Sequence, residues 1–326
     1  MFNFFKGKDN QKPTNQPNQE KTFDWHKNHA HANLLAYFKV PKDFQLVSKF
    51  QKWAEPLGEP VEEVVKSFLN SGLLEKADTI DHLLTIHTSA QLRQLLSEKG
   101  LVESGTKETL ARRLMENDEK RILKLVADHQ VLICTKLGRG IADEYELFEK
   151  NRKKTALKET EIFLRQANYR EAASTMAFYE AECIFARGIN VSWDAYDTKR
   201  DEVMLGYIFS KTPKILVKRG IIKSENVRIT AGMIHLWGSP TYAELNYDEE
   251  TRYIVMALVS HANFLYQIDN CRNQGEKFIS AFTCNDQSVC PACQKVAKIE
   301  KYRLKDIPEF PLEDCTCEMG CRCWVG

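Results

Sequence analysis

Six cysteines in two close-set groups are the residues of this chain best placed to do chemistry. Cys290-Pro-Ala-Cys293 offers two thiols, and after twenty-one intervening residues comes Cys315-x-Cys317-x-x-x-Cys321-x-Cys323. A C-x-x-C turn lets two sulfurs converge on one ion while backbone N–H groups offset their charge, and a second cysteine pair completes a tetrahedron. Small, loop-rich thiolate sites of this kind usually hold Zn²⁺ rather than an iron–sulfur cluster. The expected ligands are Cys290, Cys293, Cys315 and Cys321, with Cys317 and Cys323 in reserve and Cys284 available to a second site. Four protein ligands leave no open position for water, so the expected ion is structural. Two other readings of these cysteines stay open. One is an oxidised disulfide framework; the other is a redox role for Cys290 and Cys293, although the βαβ pattern that would favour it is absent.

Composition narrows the setting. At 326 residues, 43% apolar and 10% aromatic, the chain has enough material for two or three packed units and is not a disordered polymer. Forty-six Lys and Arg against forty-five Asp and Glu leave a formal charge of +1, so any contact with a polyanion must come from a local patch. The opening Met-Phe-Asn-Phe-Phe-Lys lacks the apolar core of a secretory signal. The most apolar stretch, Tyr253-Ile-Val-Met-Ala-Leu-Val, reaches Ser260 and His261 well short of the ~20 residues of a membrane span. The expectation is a cytoplasmic protein without a membrane partner, where clustered cysteines more often hold metal than form disulfides.

The elements that must position these groups read as mainly α. A polar lead-in (1–22) precedes a helical N-terminal region (23–85), a two-helix module (86–120), a mostly helical body (121–275) and the Cys-rich tail (284–326). His26, His29 and His31 read as a polar helix start rather than a metal site. Val61, Val64, Val65, Phe68 and Leu69 form one helical stripe that Gly72 ends. From Lys120 onward the pattern reads as helical again, with one or two long helices from about 152 to 187 and a strong one from about Asp248 to Asn270. Between them, 211–245 is broken by Pro213, Gly220, Gly232, Gly238 and Pro240, with short strands or loops expected at Ile215-Leu-Val and Val227-Arg-Ile-Thr. His235 and His261 sit in apolar neighbourhoods and read as buried, hydrogen-bonded histidines.

The best-specified local structure runs from Thr88 to Asn117. Thr88 with Gln91 makes a capping box, Leu92, Leu95 and Leu96 give the helix one apolar face, and Gly100 supplies a left-handed exit. Thr106 is a natural N-cap for a second helix that turns Leu110 and Leu114 towards the first. This pattern, Leu92-x-x-Leu95-Leu96-x-x-x-Gly100-Leu101-x-x-x-Gly105-x-Lys107-x-x-Leu110-x-x-Arg113-Leu114, resembles the SAP motif, a small helix–turn–helix-like module, over about 35 residues. The resemblance implies contact with duplex DNA, often A·T-rich. The residues expected to make it are Arg93, Lys99, Ser104, Gly105, Thr106, Lys107 and Arg112, with Ser104–Lys107 offering the bare amides of a helix start to an anion. Six basic and six acidic side chains lie between Thr88 and Lys120, so the module alone should bind weakly. The run Lys150, Arg152, Lys153, Lys154 and Lys158 either extends a phosphate-contacting surface or is a solvated helix face.

The tail, from Cys290-x-x-Cys293 through Pro308-x-Phe310-Pro311 to Cys321-Arg322-Cys323, resembles the Cys-rich end of phage head-morphogenesis (minor capsid) proteins over about forty residues, without the usual histidine before the last Cys-Arg-Cys. No phosphate loop, dinucleotide fingerprint or nucleophile elbow is present, and no catalytic residue is assigned. The expected fold is mainly α: a SAP-like two-helix module, a helical body and a small zinc-ribbon-like C-terminal segment. The expected function is non-enzymatic contact with duplex DNA, supported by a structural four-cysteine zinc site. The alternatives are a prophage-type head-assembly protein, working through a protein partner or self-assembly, and a metal-dependent nuclease using Asp194, Asp197, Asp201 or Glu202.

Overall fold

The computed structural model describes residues 23–188, 191–221, 224–238, 248–284, 286, 289–317, 320–321 and 323–326. The lead-in 1–22 lies outside the described residues, as does 239–247. The fold is mainly helical, and the chain divides into two compact units between Phe148 and Glu149.

The N-terminal unit opens with α1 (His29–Tyr37), β1 (Lys42–Asp43), α2 (Phe44–Ser48), α3 (Ala54–Leu57) and α4 (Val61–Asn70). α4 buries Val61, Val64, Val65 and Phe68, the stripe its period demands. β2 (Leu74–Lys76), α5 (Thr79–Ile86), α6 (Ser89–Ser97), α7 (Lys107–Val126) and β3 (Val131–Cys134) follow, and α8 (Lys136–Arg165) carries the division between the units. The mostly helical run expected after Lys120 is interrupted at β3. This Val-Leu-Ile-Cys run is the middle strand of an antiparallel sheet ordered β1-β3-β2, pairing Asp43 with Val131 and Leu74 with Cys134. Its partners lie more than fifty residues upstream in the sequence, so helical periodicity in the flanking residues could not reveal it. Just beyond, the start of α8 runs against the end of α4 and β2. A Cβ at Gly138 would stand 2.0 Å from the Leu73 carbonyl oxygen, so only glycine fits there.

The C-terminal unit is built from the second half of α8 with α9 (Tyr169–Ala181), α10 (Lys199–Ser210), α11 (Lys214–Lys218), α12 (Glu225–Trp237) and α13 (Glu249–Asn273). The strands or loops expected at 215–217 and 227–230 are helical: they lie in α11 and α12. Ser224 caps α12 by accepting the Val227 N–H, and Gly232, read as a break, lies inside the helix against Leu164 and Leu205. A glycine that lets two helices approach looks the same in sequence as one that ends a helix. Arg152, part of the basic run, bridges α8 to α9 instead, contacting Glu149, Glu182, Cys183 and the Tyr179 ring.

α13 buries Ile254, Val255, Ala257, Leu258, His261, Ala262, Phe264 and Ile268, too many for one contact face. α10 and α12 cover one part of it. The tail belongs to the same core: Ile279, Ala281, Phe310, Leu312 and Val325 share one apolar cluster with Leu258, Ala262 and Ile268. The Cys-rich segment is therefore a wall of this unit rather than a small body that lacks a core of its own.

Candidate metal centre and nucleic-acid surface

The tail folds back on itself through short strands. β4 (Phe278–Ile279) pairs with β6 (Tyr302–Arg303), and β5 (Ala281–Phe282) pairs with β7 (Trp324–Val325). Ser280 and Gly326 exchange backbone hydrogen bonds of 3.0 and 3.1 Å, which brings the last cysteines back beside the first. α14 (Pro291–Ala297) begins at Cys290, its N-cap, with Pro291 pre-shaping the first turn and Cys293 inside it. The arm that carries Cys315 is tied down from two helices. His261 of α13 donates from Nδ1 to the Phe310 carbonyl at 2.9 Å, and beside α11 Arg219 donates to the Cys315 carbonyl at 3.2 Å.

Six sulfurs meet as a result. Cys290, Cys293, Cys315, Cys317, Cys321 and Cys323 are all buried and all unbonded to one another. Cys293 Sγ lies 3.6 Å from Cys315 Sγ and 3.8 Å from Cys321 Sγ, and Cys290 Sγ lies 3.8 Å from Cys315 Sγ. Cys290, Cys293, Cys315 and Cys317 form one group with every sulfur within 4.8 Å of the others; Cys293, Cys321 and Cys323 form a second. Of the four expected ligands, three fall in the first group. Cys321 stands in the second, and Cys317, held in reserve, stands in its place. Cys284 is exposed and lies in neither group.

Electrostatics within the cluster favour deprotonation at two positions. Burial opposes a thiolate at Cys290, but the backbone N–H groups of Cys293 and Thr316, together with the Cys293 and Cys317 side chains, bring the thiol down to about 6. Cys321 is lowered by contacts with Cys293, Cys315 and Cys323, while Cys293 is raised, chiefly by Cys315 and Cys321. A helix N-terminus and converging amides are the surroundings that make cysteines metal ligands. Cys134 behaves otherwise: burial in the N-terminal core pushes its thiol up to about 11, and it donates to the Leu35 carbonyl.

Among the described residues, every group of three or more His, Cys, Asp or Glu close enough to share an ion is made of cysteines. The three N-terminal histidines disperse: His26 stacks on Trp25, His29 faces Phe148, and His31 meets Glu59 at 2.9 Å. Two of the acidic residues after Trp193 serve the fold. Asp201 is buried between the Tyr196 hydroxyl at 2.8 Å and His235 Nε2 at 3.0 Å, and Asp197 accepts the Lys199 N–H.

The helical pair of the N-terminal unit has the caps its sequence demands. Thr88 and Gln91 form the reciprocal box, Leu101 N–H returns to the Leu96 carbonyl past Gly100 at φ 65°, and Thr106 accepts the Thr109 N–H. Leu92, Leu96, Leu110 and Leu114 pack together, joined by Leu83 of α5, which lies outside the two-helix pattern. α7 bends at Asp118, where φ is −154°. The expected DNA-contacting side chains part company here. Lys99 pairs with Asp118 at 2.7 Å, Arg112 pairs with Glu108 at 2.7 Å, and Lys107 donates to the Leu84 carbonyl at 2.6 Å, which locks α7 to the end of α5. Arg93, Ser104, Gly105 and Thr106 remain on the exposed surface. In the C-terminal unit Lys150, Lys154 and Lys158 are exposed at i, i+4 and i+8, one side of α8.

No family model matches this chain, and no curated protein or solved structure is significantly similar to it. Among the described residues, no helix is long and apolar enough to cross a membrane.

Proposed function

We propose that this chain is a DNA-associated, non-enzymatic protein in which a SAP-like module contacts duplex DNA and a structural zinc–thiolate site holds the C-terminal unit in shape. The observation that carries the reading is the convergence of six buried, unbonded cysteine sulfurs drawn from two distant stretches of chain. Thiolate sulfur suits Zn²⁺, and a buried site without an open position suits a structural ion. The ion would neutralise the thiolates and tie the start of α14 to the last residues of the chain.

Support for the DNA contact is of a different kind. The helical pair folds around the apolar positions that the SAP resemblance rests on, and Arg93 with Ser104–Thr106 stays exposed beside it. The lysine row on α8 supports the same reading. Like charges one turn apart cost a helix a few tenths of a kcal/mol, a cost that a phosphate backbone would reverse. The test is retention of a short duplex by the full chain between about 50 and 200 mM salt, followed by fluorescence anisotropy. Binding that falls steeply with salt is expected. Binding indifferent to salt, or none in dilute buffer, rejects the DNA contact, and elemental analysis of the same sample tests the zinc.

A second reading, a structural component of phage-type head assembly, is favoured by one surface feature. Phe282 and Trp324 stack across the β5–β7 pair with ring centroids 5.8 Å apart, yet stay 44% and 43% exposed. Exposed aromatic pairs of this kind are enriched where proteins meet. Sedimentation of the chain and of a Trp324→Ala variant tests it: self-association lost in the variant supports the reading, and a monomer at all concentrations removes it.

A further inference from the structure

The six sulfurs are more than one tetrahedral ion needs, and their arrangement says what the surplus does. We infer that the tail holds a binuclear zinc–thiolate cluster in which Cys293 and Cys315 are shared between two ions. This rests on the zinc reading above and deepens it.

Two four-coordinate ions require eight ligand positions, and six thiolates fill them when two bridge both ions. Cys293 alone belongs to both sulfur groups, and Cys315, a member of the first, is drawn in by its contacts with Cys293 and Cys321. Cys293 contacts Cys315 at 3.6 Å and Cys321 at 3.8 Å. Cys315 lies 3.8 Å from Cys290 in the first group and also interacts with Cys321 of the second. Cys290 and Cys317 flank this central pair on one side, with the Cys290 N–H donating to Cys317 Sγ at 3.4 Å; Cys321 and Cys323 flank it on the other. With a Zn–S bond of about 2.3 Å, the edge of a regular tetrahedron is about 3.8 Å, close to the Cys290–Cys315, Cys293–Cys315 and Cys293–Cys321 separations. Packed thiols touch at similar distances, so the separations alone do not discriminate. The sharing pattern does, because a mononuclear four-cysteine site would leave two buried thiols against it with no ligand role.

The charge balance is consistent with burial. Two Zn²⁺ held by six thiolates carry a net charge of −2, no greater than that of one Zn²⁺ with four thiolates. Arg219, hydrogen-bonded to the Cys315 carbonyl, and the amides of Cys293, Thr316, Cys317 and Cys323 lie beside it to offset that charge.

Native mass spectrometry of the full chain, loaded with Zn²⁺ and freed of excess, is the test. Two ions per chain are expected. One ion overturns the shared cluster while leaving the zinc reading intact, and none overturns both. Cys323→Ser, which removes a terminal ligand of one ion only, is expected to keep a single ion, and retention of two would refute the assignment. Should that variant fail to fold, ¹¹³Cd NMR of the Cd²⁺-loaded wild-type chain decides the matter. Two resonances split by mutual coupling through the shared sulfurs are expected; one resonance, or two without coupling, would overturn the bridge.

Discussion

His261 Nδ1 donates a 2.9 Å hydrogen bond to the backbone carbonyl of Phe310, joining the middle of the long helix α13 to the arm that carries Cys315. A carbonyl only accepts, so the proton sits on Nδ1. Both groups are buried, and truncating His261 removes this donor from the Phe310 carbonyl. His261→Ala is expected to cost about 1–3 kcal/mol in chemical denaturation and to speed zinc transfer to a competing chelator. Unchanged stability together with an unchanged transfer rate would show that the arm is held elsewhere.

Metal removal should act on the C-terminal unit as a whole, because the tail shares that unit's core. An ion bound at a thousandfold its dissociation constant contributes about 4 kcal/mol, and for a unit of this size that shifts the midpoint by roughly 10 °C. Circular dichroism melts with and without a strong chelator should show a fall of that order, reversed by adding Zn²⁺. Coincident melts would mean that packing alone holds the tail.

Asp201 links stability to acid. Burial opposes its charge, but His235 and the Tyr196 hydroxyl outweigh that and hold the carboxyl below the usual range. A depressed folded value means the contribution is fully present above the unfolded value of about 3.9 and is lost as pH falls through the lower folded one. Urea midpoints measured from pH 6 to 3 should fall in that acid window for the wild type. Asp201→Asn should fall less there and be weaker at neutral pH; parallel curves would exclude Asp201 as the source.

Two glycines of α8 should respond in opposite directions. A Cβ at Gly138 meets the Leu73 carbonyl oxygen at 2.0 Å, whereas one at Gly140 meets nothing within 4 Å. Gly138→Ala is expected to destabilise the N-terminal unit by more than about 2 kcal/mol, since backbone must move. Gly140→Ala should stabilise by about 0.5–1 kcal/mol through helix propensity. Thermal melts of the two variants settle the comparison, and similar values would place the α8 start elsewhere.

On the DNA reading, Arg93→Ala and the triple change of Lys150, Lys154 and Lys158 to Gln should weaken duplex retention and lower the salt slope, by about one for each phosphate no longer neutralised. Lys107→Ala should instead lower stability, because its ammonium is committed to the Leu84 carbonyl at 2.6 Å. A Lys107 variant that folds normally and loses binding would reverse these roles.

Local rules written into the sequence determined much of this protein. The capping box at Thr88, the cap at Thr106, the stripe on α4 and the long apolar helix after Asp248 follow from side chains satisfying neighbouring backbone groups or from a period of 3.6. The clustering of thiols was equally legible, since a C-x-x-C turn brings its sulfurs together locally. Tertiary structure alone decided which sulfurs are neighbours, because β5 pairing with β7 and His261 reaching Phe310 set the positions of Cys315 to Cys323. The same holds for β3, made a strand by partners at 42–43 and 74–76, and for Lys99 and Lys107, whose charges are committed to groups that only folding brings near. A residue's type states what it is able to bond; the groups within reach are set by contacts between distant parts of the chain.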